Sequence, residues 1–77
     1  MTSAISLRLF ATLAKYMPED TDRYPIASGT TVRDVVDRLG IREAEARLIF
    51  INNKRALLTS VLNDGDRLGI FPPIGGG

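Results

Sequence analysis

Near the start of the chain, Ile5, Leu7 and Leu9 fall on one side and Ser6, Arg8 and Phe10 on the other, the two-residue period of a strand that buries one face. In the next stretch, Thr12 to Met17, the positions Leu13, Ala14 and Met17 share a helical face, and Pro18 ends it because the residue before a proline avoids helical backbone. A short helix or turn is expected there. Glu19, Asp20 and Asp22 then form a polar connection, and Tyr24-Pro25-Ile26 reads as a brief strand whose proline places it at a sheet edge.

The clearest element begins at Thr31, whose hydroxyl can accept from the backbone of Asp34 in a variant of the capping box. Val32, Val35, Val36 and Leu39 follow at i, i+3, i+4 and i+7, the apolar stripe of a helix. Valine is a mediocre helix former, so burial of the stripe must hold this helix. Gly40 supplies a left-handed C-terminal position, Ile41 can fold back on the last turn, and Asp34 with Arg38 makes an i,i+4 pair on the solvated face.

Arg42 to Arg47 is polar and helix-compatible, whereas Leu48-Ile49-Phe50-Ile51 is an apolar run too short for a helix and rich in β-formers, which predicts a central strand. Asn52-Asn53 suits a tight turn with positive φ. Leu57, Leu58, Val61 and Leu62 are expected to pack on a short strand and a following turn, and Asn63-Asp64-Gly65-Asp66 is a strong turn signal. Leu68 and Ile70 alternate with Arg67, Gly69 and Phe71 in a last strand that Pro72-Pro73 stops. The order strand, helix or turn, strand, helix, strand, short strand, strand describes an α+β chain with a mixed sheet over one main helix. That is the β-grasp, or ubiquitin-like, architecture, with residues 1–71 as its domain and 72–77 as an extended tail.

Composition narrows the chemistry. With 77 residues the chain has room for one small core. Ten basic residues against nine acidic ones, with 44% hydrophobic residues, describe a soluble globular domain with no bias toward nucleic acid or a membrane surface. The sequence contains neither Cys nor His, so thiolate nucleophiles, imidazole bases and the usual zinc and haem ligands are all missing and no metal site is expected. No stretch approaches 18 apolar residues and the N-terminus lacks a signal-peptide pattern, which leads us to expect a cytoplasmic protein, one in which most side-chain catalysis is excluded.

What chemistry remains sits at the C-terminus, Ile74-Gly75-Gly76-Gly77. Polyproline geometry at Pro72-Pro73, at about 3.1 Å per residue, holds the glycines away from the body, and the three glycines reach roughly 10 Å further. Such a thread fits a narrow channel. Without Cβ atoms, Gly76 and Gly77 let an enzyme close around the backbone, and the terminal carboxylate, ionised at neutral pH, can attack the α-phosphate of ATP once positioned. An acyl-adenylate made this way accepts sulfur or an amine. Three glycines at an end are equally what a frayed or appended terminus looks like.

The run from Asp64-Gly65-Asp66 through Leu68-Gly69-Ile70-Phe71-Pro72-Pro73-Ile74-Gly75-Gly76-Gly77 resembles the C-terminal signature of the MoaD/ThiS sulfur-carrier family, nearest to the small subunit of molybdopterin synthase. The resemblance extends over the chain, through Leu9-Phe10-Ala11, the capped valine helix and Ile51-Asn52, and its specific part is the last 14 residues. Two positions depart from the pattern: Asn52-Asn53 stands where the family often has Asn-Gly, and Gly75 fills a variable small position.

The resemblance implies a cycle. An adenylating enzyme of the ubiquitin-activating type (MoeB/ThiF-like) uses ATP to form the Gly77 acyl-adenylate, a sulfur donor turns it into a thiocarboxylate, and the sulfur passes to an acceptor. In the molybdopterin branch that acceptor is a pterin precursor on a larger synthase subunit (MoaE-like). Gly77 is then the covalent site, with Gly76, Gly75, Pro72 and Pro73 recognised as the tail and no cofactor held stably by the chain itself. Strand alternation turns Phe71 and Gly69 outward if Leu68 and Ile70 face the core, making Phe71 an interface anchor, the other reading being a core phenylalanine that closes the sheet end. Arg8, Arg67, Lys54 and Arg55 can add charge to such an interface or simply form a solvated face. Two other functions fit the same body: a modifier joined through Gly77 to target lysines, and a non-covalent binding module with an incidental tail. Nucleic-acid binding is disfavoured because aromatic and basic residues do not interleave along the chain.

Overall fold

Alternation at the N-terminus produces β1 (Ser3–Leu9), with Ile5, Leu7 and Leu9 buried and Arg8 exposed. In the computed structural model, which describes residues 3–73, β1 pairs antiparallel with β2 (Tyr24–Ile26) and parallel with β5 (Arg67–Phe71). β5 pairs antiparallel with β3 (Leu48–Ile51), and β3 with β4 (Lys54–Ala56), giving one five-stranded sheet in the order β2-β1-β5-β3-β4. This mixed sheet with one main helix, α1 (Val32–Leu39), is the β-grasp expected from the sequence. The segment expected to be a short helix or turn is a 3-10 helix over Ala11–Tyr16.

Local signals account for α1 from end to end. Thr31 Oγ1 accepts from the Asp34 N–H at 3.3 Å and Asp34 Oδ2 accepts from the Thr31 N–H at 3.0 Å, the reciprocal box read from the sequence. The N–H groups of Val32 and Arg33 donate to the Ser60 and Leu58 carbonyls, so every N-terminal donor of the helix has a partner. At the other end Gly40 takes φ 78°, and the Ile41 N–H returns to the Val36 carbonyl at 3.1 Å, closing the last turn.

The stripe Val32, Val35 and Val36 is fully buried with Ile5, Leu7, Leu68 and Ile70 in one core, and among the described residues every buried side chain is hydrophobic. The run Leu48–Ile51 is an interior strand between β5 and β4, as expected, while β5 takes the middle of the sheet. Within that run alternate residues face the core, Ile49 buried and Ile51 packed against it. Two expectations need correction. Of the apolar residues after β4, Leu62 is buried and Leu58 packs on the core, whereas Leu57 is 69% and Val61 52% exposed. Arg38 does not pair with Asp34: its Nη1 donates to the Pro25 carbonyl at 3.3 Å and its guanidinium lies 5.7 Å from the Tyr24 ring centre. Asp34 is committed to the cap, and β2 offers the arginine both an unpaired carbonyl and an aromatic face.

Candidate functional site

β5 decides what stands at the root of the tail. With Leu68 and Ile70 buried in the core, Gly69 and Phe71 fall on the opposite, outer face of the sheet. Cross-strand register then fixes their neighbours: Arg8, Gly69, Phe50 and Arg55 form one row across four strands, and Phe71 stands opposite Leu48 in the next. Aromatic and basic positions that are far apart along the chain thus become adjacent in space.

Phe71 is not a lone exposed ring. Phe10 stacks closely on it with centroids 4.1 Å apart and planes 4° from parallel, and Phe50 meets it edge-on at 5.8 Å and 84°, the T-shaped geometry that aromatic pairs favour. Phe10 reaches this position because its N–H donates to the Ile70 carbonyl at 3.2 Å while the next residue, Ala11, takes φ 53°, a left-handed conformation that turns the chain off β1. The Phe10 ring also covers Gly69, where an added Cβ would lie 3.5 Å from ring atom Cε2, an ordinary contact. Phe71 is therefore half-buried by other aromatics on the outer face and takes no part in the core, while Phe10 remains 38% exposed. Beside the three rings is a shallow concavity of about 470 Å³ bordered also by Arg8, Asn53 and Arg67. Arg8 approaches Asp22 at 3.8 Å with both side chains largely exposed, a geometry that neutralises little charge.

The Asp64-Gly65-Asp66 turn splices three parts of the sheet together. Asp64 Oδ1 accepts from the Ala4 N–H at 2.9 Å, and the Gly65 N–H donates to the Ala4 carbonyl at 2.8 Å. Asp66 Oδ2 accepts from the Asn63 N–H at 2.8 Å, and Asp66 Oδ1 from Asn52 Nδ2 at 2.9 Å. Asn52 Oδ1 in turn accepts from the Arg67 N–H at 2.9 Å. The β3–β4 turn, with φ 54° at Asn52 and 69° at Asn53, is thus locked to the first residue of β5. The Asp34 carboxyl is held below the usual range by the Thr31 backbone and side-chain hydrogen bonds and, more weakly, by the Arg38 charge.

Of the tail residues singled out by the sequence, Pro72 is half-buried and Pro73 exposed at the end of β5, while Gly75, Gly76 and Gly77 lie outside the described residues. Sequence reasoning missed Phe10 and Phe50 as parts of the aromatic face and Asn52 as a side-chain clamp. Alternation through β1 carried the signal for Phe10. Among the described residues no group of three or more acidic, His or Cys side chains is placed to hold a metal ion, and no helix is long and apolar enough to cross a membrane.

The model of the ThiS family matches residues 7–77, through the terminal glycines. The chain belongs to the ThiS family. Its fold is similar to the solution structure of the HVO 2177 protein of Haloferax volcanii, with 25% identity, a TM-score of 0.76 and coverage of 99% of this chain and 88% of that one. It is also similar to SAMP1 of Haloferax volcanii, with 27% identity, a TM-score of 0.69 and coverage of 97% and 100%. A structure of small archaeal modifier protein 1 from the same organism shares the fold at 24% identity, with a TM-score of 0.73 and coverage of 94% and 99%. A search of curated proteins finds no match. The chain is thus a small ubiquitin-like protein of the ThiS family.

Proposed function

We propose that this protein is a cytoplasmic sulfur carrier whose reactive group is the carboxylate of Gly77. The observation that supports this most is that the ThiS match runs through the terminal Gly-Gly-Gly, together with a sequence that holds no Cys or His to serve as a nucleophile or base of its own. In the proposed cycle a Gly77 oxygen attacks the α-phosphorus of ATP on an adenylating enzyme and pyrophosphate leaves. A sulfide-level donor then displaces AMP, leaving a terminal thiocarboxylate. Gly75 and Gly76 give the enzyme's channel access to the backbone, Pro72-Pro73 hold the thread off the body, and Phe71 and Gly69, under Phe10, form the face that docks the enzyme. The acceptor we assign is a pterin precursor on a larger synthase subunit, on the resemblance of Phe71-Pro72-Pro73 to the molybdopterin branch.

The similarity to small archaeal modifier protein 1, a modifier by its name, supports a second reading, in which the same adenylate is passed to lysines of target proteins. Both readings share the first step. Incubating the chain with the adenylating enzyme of its own genome and ATP should support pyrophosphate exchange, and the same chain lacking Gly77 should not. Equal exchange by the two forms, or none by either, rejects the proposal. Supplying a sulfur donor or a lysine-bearing target then separates carrier from modifier.

A further inference from the structure

The two edges of the sheet are not equivalent. On β2, Pro25 has no N–H to offer, its carbonyl accepts from Arg38, and the same guanidinium covers Tyr24, so that edge is closed to another strand. On β4 the two-residue turn at Asn52-Asn53 makes Ile51 and Lys54 the first hydrogen-bonded pair, which leaves Phe50 and Arg55 as a non-bonded pair. The N–H and C=O of Arg55 therefore point away from β3, and among the described residues neither has a backbone partner outside the sheet.

Next to this open edge is a groove of about 960 Å³, placed where β3 begins, β4 ends and β5 runs into the tail. Leu57, 69% exposed, supplies its apolar wall, Arg47 and Arg55 its charge, and Pro72 and Pro73 its remaining side. Glu43 also borders it, but that carboxylate is taken by Arg33 at 2.8 Å. Among the described residues no carboxylate pairs with Arg47 or Arg55, so the unmatched charge of the groove is positive. A second copy is a poor occupant, because pairing β4 with β4 would bring two Lys54-Arg55 segments face to face.

We propose that this groove receives an extended segment of the tail-activating enzyme, one that adds a strand beside Arg55, sets an apolar side chain against Leu57 and presents carboxylates to Arg47 and Arg55. The proposal rests on the carrier reading above and gives it a second contact, at the sheet edge beside the aromatic face, whose Gly69-Phe50 row ends at Arg55. Any protein that grips the tail passes Pro72-Pro73, so the groove lies on its path, and a contact there orders the tail root as the terminus enters the channel.

The test uses the full chain with the adenylating enzyme of its own genome. Arg47, Arg55 and Leu57 are exposed, so the double variant R47E/R55E and the variant L57S should keep the thermal midpoint. The expected result is a KM for the chain raised about tenfold or more by R47E/R55E, with kcat held within about twofold and a KM less dependent on salt than that of the unsubstituted chain. Amide exchange at Arg55 should slow in the complex. Unchanged KM and salt dependence while the unsubstituted chain is adenylated normally overturn this proposal and leave the carrier reading intact. Absence of adenylation of the unsubstituted chain defeats the carrier reading and this partner with it, and a dimer in light scattering that R55E abolishes assigns the edge to a second copy.

Discussion

Ala11 shows how one residue's backbone shapes the site. Its positive φ of 53° ends β1 and lets Phe10 fold over Gly69 and Phe71. Left-handed backbone costs a residue with a Cβ roughly 1–2 kcal/mol, and glycine's greater freedom when unfolded returns part of it. Ala11→Gly is therefore expected to stabilise the protein by about 0.5 kcal/mol, read from chemical denaturation, and a loss of stability would show that the conformation carries no strain. Phe71→Ala removes a stack and an edge contact outside the core. We expect about 1–2 kcal/mol of destabilisation with the fold retained, and, as a docking anchor, at least a tenfold rise in KM for adenylation. A variant with unchanged KM removes Phe71 from the interface. The outward direction of Phe71 followed from two-residue alternation, but its cover did not, because Phe10 lies some 60 residues away in sequence and meets it only through the parallel pairing of β1 with β5.

Among the elements, α1 was legible throughout because each of its determinants is local: the Thr31 cap, the valine stripe, Gly40 and Ile41 lie within one short segment. Arg38 was misread for the complementary reason, since its partners, Pro25 and Tyr24, belong to another element. The run Leu48–Ile51 concealed its two faces because continuous apolarity carries no alternation, so Phe50 emerged as a neighbour of Phe71 only with the register of β3. Leu57 and Val61 show the limit of hydropathy, which predicts burial without saying what covers a residue. The cap also has a pH signature. Asp34 titrates below its unfolded value, so its contribution is fully present above the unfolded pKa, near 3.8, and is lost as pH falls through the lower folded value. Asp34→Asn should flatten the acid limb of the stability profile below about pH 4, and an acid limb identical in the two proteins would show that the box adds no pH-dependent stability. Thr31→Ala removes the other half of the box and should cost about 1 kcal/mol at neutral pH.

At the scale of the molecule, the fold places its last strand in the middle of the sheet, with β1 on one side and β3 on the other. The tail therefore leaves from the best-supported strand, with the aromatic face and the basic groove flanking its root. The Asp-Gly-Asp turn was legible as a turn, but its work in tying Ala4, Asn52 and Arg67 together depends on long-range register. Chemistry assigned to the terminal backbone needs no side-chain nucleophile, in keeping with a chain that has neither Cys nor His. The most direct test is intact mass spectrometry of the protein isolated from its own cells. The account predicts a population in which one oxygen of the Gly77 carboxylate is replaced by sulfur, or, for the modifier reading, Gly77 in amide linkage to a lysine. A terminus found only as the free carboxylate, in cells that grow equally well when Gly77 is deleted, would contradict it.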